Sequence, residues 1–175
     1  VHHGLRDSAD RDACFCRRYA ADLGIPCFVE HLQLSSQQHS VQAEGRRRRY
    51  AVLSTIARRH DADTVVTGHH LDDWIETAVM KIRKASGLRG ITSLERTRSI
   101  PLPEPGKASL RRPLLAFPKE TLRSFAETNN VDWVTDPTNQ STSYTRNQIR
   151  HTLLDHFDSA TRKSTGQVLK RLAAD

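Results

Sequence analysis

At 175 residues, 37% hydrophobic and 27% charged, the chain carries enough apolar matter for one domain with a core and too much for a disordered segment. Lys and Arg outnumber Asp and Glu by 27 to 20, a formal charge of +7 that favours a polyanionic partner such as RNA. No apolar run approaches the roughly 20 residues that a membrane helix needs, which excludes a helical span.

The chain opens on Val1-His2-His3-Gly4, without an initiator methionine or a targeting pattern, so an amino-terminal truncation is expected. Ser8 can cap a helix running to about Leu23, where Ala13, Cys16, Ala20 and Leu23 recur at helical spacing and Gly24 ends it. The three cysteines, Cys14, Cys16 and Cys27, form no CxxC pair and read as reduced thiols. On a helix Cys14 and Cys16 point about 200° apart, which suits packing rather than ligation. Pro26 to Leu34, with Phe28, Val29, Leu32 and Leu34, is expected as a strand, followed by a polar loop from Ser35 to Ser40.

A second helix is expected from about Val41 to His60, burying Leu53, Ile56 and Ala57 and carrying Arg46-Arg47-Arg48-Arg49. Arg47 and Arg48 read as a solvated face. Arg46 and Arg49, three apart, share a face and can clamp one phosphate or carboxylate. Thr64-Val65-Val66-Thr67 reads as a short strand, Gly68-His69-His70 as a tight connection, and a third helix starts near Leu71, since Ile75, Ala78, Val79, Ile82 and Ala85 keep the helical period. Ile100 to Lys107 reads as a Pro-rich loop and Thr121 to Asn130 as an amphipathic helix, with Arg112 and Pro113 between them as structural residues. Residues 158–175 read as a helical linker, which leaves 1–157 as a partial catalytic domain. Alternating strands and helices favour an α/β fold, a doubly wound parallel sheet with helices on both faces, whose ligands sit beyond the carboxyl ends of the strands.

The chemistry-bearing stretch is Gly68 to Thr77. On a helix, Asp72 and Asp73 stand four and three residues before Glu76, so the three carboxylates share one patch in the first turns. Acidic residues there are also favoured by the helix dipole, with no function needed. The preceding His69 and His70 can contact a phosphate or shuttle a proton. Arg146 and Arg150, at helical spacing, make a second cationic pair, preceded by the turn-forming Asp136-Pro137-Thr138-Asn139.

Gly68 to Thr77 resembles the HHxxDDxxET motif of tRNA(Ile)-lysidine synthetases, N-type ATP pyrophosphatases of the PP-loop family. The resemblance extends in order through Val1 to Arg6, Ala43 to Tyr50, Ser86-Gly87 with Gly90, Arg112 to Leu115, Asp136 to Asn139 and Arg146-Asn147-Gln148-Ile149-Arg150. Gln42, Trp74 and Ala85 depart from it, where the family often has Glu, Gln and Gly; Trp74 either alters the pocket or covers the helix's outer face. Nothing in residues 1 to 175 resembles the family's SGGxDS loop, whose amides would cradle ATP phosphates, so the chain alone is expected to be inactive.

The resemblance implies an adenine nucleotide alpha hydrolase-like fold and an enzyme that uses ATP with Mg2+ to adenylate the wobble cytidine of a tRNA(Ile) with a CAU anticodon. The amine of free L-lysine then displaces AMP to give lysidine. It implies catalytic Asp72, Asp73, Glu76 and His70, Mg2+ at Asp72, and Gly68 and His69 at the nucleotide. Arg46, Arg49, Arg146, Asn147 and Arg150 would bind substrate. A cytoplasmic location is expected, with a eukaryotic organelle as the alternative, and a homodimer is the assembly kept open. Two other functions stay open: a tRNA-thiolating PP-loop enzyme, which typically needs paired reactive cysteines, and a catalytically dead RNA-binding relic.

Overall fold

The computed structural model describes residues 9–31, 41–94, 97–101, 107–135 and 145–174. The sequence blocks at Val1 to Arg6 and Asp136 to Asn139 and the loop at 35–40 lie outside the described residues. The chain falls into two compact units, Val1–Val65 with Ser99–Ser109, and Val66–Arg98 with Leu110–Asp175.

In chain order the elements are helices α1 (Ala9–Asp22) and α2 (Val41–Arg59), strand β1 (Thr64–Val66), helices α3 (Leu71–Arg83) and α4 (Leu88–Ile91), and strands β2 (Thr97–Pro101) and β3 (Lys107–Arg111). After a 3-10 turn at Pro113–Ala116 come α5 (Lys119–Thr128), α6 (Thr145–Thr152), a second 3-10 turn at Leu154–His156 and α7 (Ser159–Leu172). The described sheet has the order β1-β3-β2. Ser109 N–H donates to Asp63 O at 2.8 Å and Thr67 N–H to Arg111 O at 3.0 Å, a register that advances together and makes β1 and β3 parallel. The short connection between β2 and β3 permits only an antiparallel pair. Of the Pro-rich loop expected from Ile100 to Lys107, Ile100 and Pro101 belong to β2 and Lys107 to β3, and 102–106 lie outside the described residues. Along β3, Ala108 and Leu110 are buried and Arg111 is exposed, the alternation of a half-covered strand.

In the first unit, Ser54 and Ala57 of α2 are buried while Leu53 and Ile56 are half-buried. Of the strand expected from Pro26 to Leu34, residues 26–30 have no regular structure, His31 forms an isolated bridge and 32–34 lie outside the described residues; Cys14 and Cys16, expected to pack, are exposed free thiols, as is Cys27.

The second unit is built around α3, against which α4, α6, α7 and the first 3-10 turn pack. Leu71, Trp74, Ile75 and Ala78 of α3 meet Leu94, Leu115, Leu154 and Leu169 in one apolar cluster. Trp74 thus neither lines a pocket nor covers an outer face; it is core. Ile82, expected in the apolar stripe, is 60% exposed. The helix ends at once beyond it, where Ala85 turns left-handed with φ of 49°. Ala85 N–H donates to Ile82 O and Ser86 N–H to Lys81 O, the paired bonds of a Schellman closure. The tail expected as a linker is helical and also packed: Asp158 caps α7 by accepting from Thr161 N–H at 2.6 Å, and Leu169 joins the core. An added Cβ on Gly166 would lie 2.7 Å from Leu71 Cδ1, so α7 reaches α3 at glycine distance.

Candidate active site

The loop 67–70 leaves the carboxyl end of β1, and the chain leaving the parallel strand β3 returns at the start of α5. Both ends converge on the first turn of α3. Leu71 N–H donates to Phe117 O at 3.0 Å, and Lys119 N–H donates to Asp72 Oδ2 at 2.7 Å. This is the edge where open α/β sheets take ligands.

Each acidic residue of the motif has a different partner. Asp72, buried, accepts from Lys119 N–H through Oδ2 and from Arg162 Nε–H through Oδ1 at 2.8 Å. Asp73 caps α3, its Oδ2 accepting His70 N–H at 3.0 Å. Glu76, 0% exposed, lies between two guanidiniums: Arg150 reaches Oε1 through Nε at 2.8 Å and Nη2 at 2.7 Å, and Arg146 Nε stands 2.8 Å from Oε2. Burial pushes the Glu76 carboxyl above its usual range, and the charges of Arg150 and Arg146 oppose that push.

His70 sits among these groups. Its Nδ1 is 3.6 Å from Asp72 Oδ2 and its Nε2 is 3.5 Å from Asp73 Oδ2, too long for good hydrogen bonds. Burial lowers its pKa below the ordinary histidine value, against the pull of Asp73 and Asp72, so the ring is neutral at pH 7. His69 Nδ1 pairs with Thr67 Oγ1 at 2.8 Å. Gly68 has no steric need to be glycine, since an added Cβ would meet nothing within 4 Å.

The structure brings together Asp72, Asp73, Glu76, His70, Arg146 and Arg150, with Asn147 buried on the same helix as the two arginines. Arg46 and Arg49 belong to the first unit. There Arg46 lies over the Tyr50 ring at 5.2 Å, while Arg47 and Arg48 both pair with Glu44, which their hydrogen bonds hold down at about 2.

Glu76 is fully buried and engaged by Arg146 and Arg150, both of α6. Asp72 has both oxygens engaged by N–H donors, and among the described residues no three His, Cys, Asp or Glu side chains converge as metal ligands do. A Mg2+ ion on Asp72 does not fit that arrangement.

Sequence reasoning missed Thr77, Lys119 and Arg162. Thr77 Oγ1 donates to Asp73 O at 2.7 Å and accepts from Arg146 Nη2 at 3.2 Å, joining the two motifs. Lys119 takes part through its backbone, which no side-chain pattern reveals. Arg162 stands four residues before Gly166 and seven before Leu169, a shared helix face that was legible.

The sequence profile of the PP-loop domain matches residues 1–157. The chain belongs to the PP-loop domain family. This PP-loop chain is 36% identical over 154 residues to the tRNA(Ile)-lysidine synthase of Alkalilimnicola ehrlichii, covering 87% of the chain and 33% of that protein. It is 36% identical to the enzyme of the same name from Vibrio campbellii, over 88% of the chain and 33% of the relative. With that of Serratia proteamaculans it shares 32% over 189 aligned positions, covering 100% of the chain and 42% of the relative. The PP-loop chain thus spans about a third to two-fifths of the length of these curated relatives. Among solved structures it is similar to the U34-tRNA thiolase NcsA from Methanococcus maripaludis with its [4Fe-4S] cluster, with a TM-score of 0.72 and 17% identity over 99% of this chain and 60% of that one. The fold is the adenine nucleotide alpha hydrolase-like α/β fold expected from the sequence. No described helix is long and apolar enough to cross a membrane.

Proposed function

We propose that this chain is the PP-loop portion of a cytoplasmic tRNA(Ile)-lysidine synthase, a ligase that uses ATP to join free L-lysine to the wobble cytidine of a CAU-anticodon tRNA(Ile). The observation that carries this is the meeting of two motifs far apart in sequence, as Glu76 and Thr77 of the first hold Arg146 and Arg150 of the second at 2.7–3.2 Å. Residues 1–157 serve as part of the catalytic domain, and α7 braces it.

In the reaction, ATP adenylates the cytidine ring carbonyl oxygen and releases diphosphate. The lysine side-chain amine then attacks the activated carbon, and AMP leaves. The amine is a nucleophile only after losing a proton. Asp73 suits that task, because its Oδ1 has no described protein partner while Oδ2 is anchored on His70 N–H. A His70 ring kept neutral by burial stands at its side as a second proton acceptor. Bare Gly68 and His69 offer backbone and ring edge to the nucleotide, and the guanidinium of Arg146, partly exposed, faces anionic groups.

The test is ATP-dependent incorporation of labelled lysine into a CAU-anticodon tRNA(Ile) by the intact protein, wild type and Asp73→Asn. We expect incorporation by the wild type and a loss of about 100-fold or more in the variant, the scale of a general base. Sulfur incorporation in place of lysine, or tRNA binding without either reaction, would overturn the proposal.

A further inference from the structure

The family profile stops at residue 157, yet the motif's first acidic residue is held by a side chain beyond it. Arg162 of α7 donates its Nε–H to Asp72 Oδ1 at 2.8 Å, one terminal nitrogen to Leu154 O at 2.6 Å and the other to Phe157 O. Three contacts from one planar fork use the geometry that an arginine has and a lysine lacks. The same face of α7 presents Gly166, whose missing Cβ admits Leu71 of α3, and Leu169, which enters the core. The helix therefore docks on the first turn of α3 by a charged grip at one end and apolar packing at the other. Asp72, gripped by Arg162 on one oxygen and Lys119 N–H on the other, spans α3, α5 and α7.

We propose that Arg162 is a positioning residue for the acidic motif: by fixing Asp72 against the carbonyls of Leu154 and Phe157 it sets the first turn of α3, and with it His70 and Asp73. The proposal concerns how the site is held, and stands whichever substrate the site takes.

The groups that face His70 are Asp72 and Asp73 of α3, Lys119 of α5 and Arg150 of α6. Arg162 offsets one of the two oxyanions beside the ring, Asp72, and so bears on His70 at second hand. The experiment is a histidine NMR titration with amide hydrogen exchange on the intact protein, as wild type, Arg162→Met and Arg162→Lys. We expect the Met variant to shift the His70 midpoint upward and to speed exchange of the Lys119 amide by about tenfold or more, a local opening rather than global unfolding. The Lys variant, which keeps the charge, should return the midpoint towards the wild-type value. A folded Met variant with both readings unchanged would show that α7 docks by packing alone, and would overturn the proposal. If that variant does not fold, Asp72→Asn tests the same link from the other end: faster exchange along α7 supports it, and unchanged α7 exchange overturns it.

Discussion

Removing Arg150 should cost far more stability than neutralising Glu76, although both changes break the same ion pair. Glu76 is wholly out of water, whereas the side chain of Arg150 is 20% exposed and that of Arg146 is 35% exposed. Placing a carboxylate at such a site costs several kcal/mol, and charge-assisted hydrogen bonds return about 1.5 to 3 kcal/mol each. The Arg146 share is discounted for its exposure. Glu76→Gln removes the buried charge together with its desolvation cost and keeps a carbonyl that Arg150 can donate to, while the guanidiniums can turn to solvent. We expect a loss of about 1 to 2 kcal/mol. Arg150→Met strands the carboxylate with Arg146 alone, and we expect a loss of about 3 kcal/mol or more. The two variants also differ in pH dependence. The folded carboxyl already titrates above its usual range, and losing Arg150 drives it higher. The folded state then keeps a proton that the unfolded chain has released, so stability falls as pH rises from the unfolded value of about 4.3 through the folded one. The Arg150→Met penalty should therefore be smallest near pH 4.5 and grow towards pH 7, while that of Glu76→Gln should shrink over the same range, because only the wild type loses stability there through this carboxyl. Urea unfolding followed by circular dichroism at several pH values between 4.5 and 8 measures both. Equal penalties, or a flat one for Arg150→Met, would refute this account of Glu76.

His70 supplies a slope of opposite sign. Its folded pKa lies below the unfolded value of about 6.5, so the stability it contributes is present above that value and is lost as pH falls through it. Wild-type protein should lose thermal stability on acidification from pH 7 relative to His70→Gln, and parallel curves would count against a buried neutral ring. Ala85→Gly should raise stability by about 0.5 to 1 kcal/mol, because a left-handed residue after α3 strains any Cβ; calorimetry reads it directly. Gly166→Ala should cost about 1 to 3 kcal/mol in denaturant unfolding, since Leu71 is core and has nowhere to move, with partial recovery when Leu71→Val is added.

The sequence was most legible where one residue face meets one neighbour. The period of Leu71, Ile75 and Ala78 located α3, and Asp72, Asp73 and Glu76 stand in its first two turns, each with different partners. Trp74 was misjudged because the apolar stripe is wider than the period suggests: four surrounding elements cover α3. The pairing of β2 with β3 was hidden by the prolines in the sequence between them, although the alternation at Ala108 and Leu110 was there to be found. Cys14 and Cys16 were assigned to packing on helical spacing alone, which says which way a residue points but not whether anything lies opposite. The partners of the carboxylates were the least legible. Lys119 acts through an amide, and Arg162 lies 90 residues from Asp72, so nothing local connects them.

That distribution of partners explains why the motif carries so many acidic residues. Asp72 and Glu76 hold α7 and α6 to one helix, so the first turn of α3 is fixed on two sides. Asp73, between them, caps that turn through Oδ2 and keeps Oδ1 without a described partner. Under the proposed function, chemistry at Asp73 would be sensitive to changes at Glu76 or Asp72 through the helices they hold. Under the proposed function Asp73 is the reactive carboxylate of the motif, and Asp72 and Glu76 build the frame that holds it.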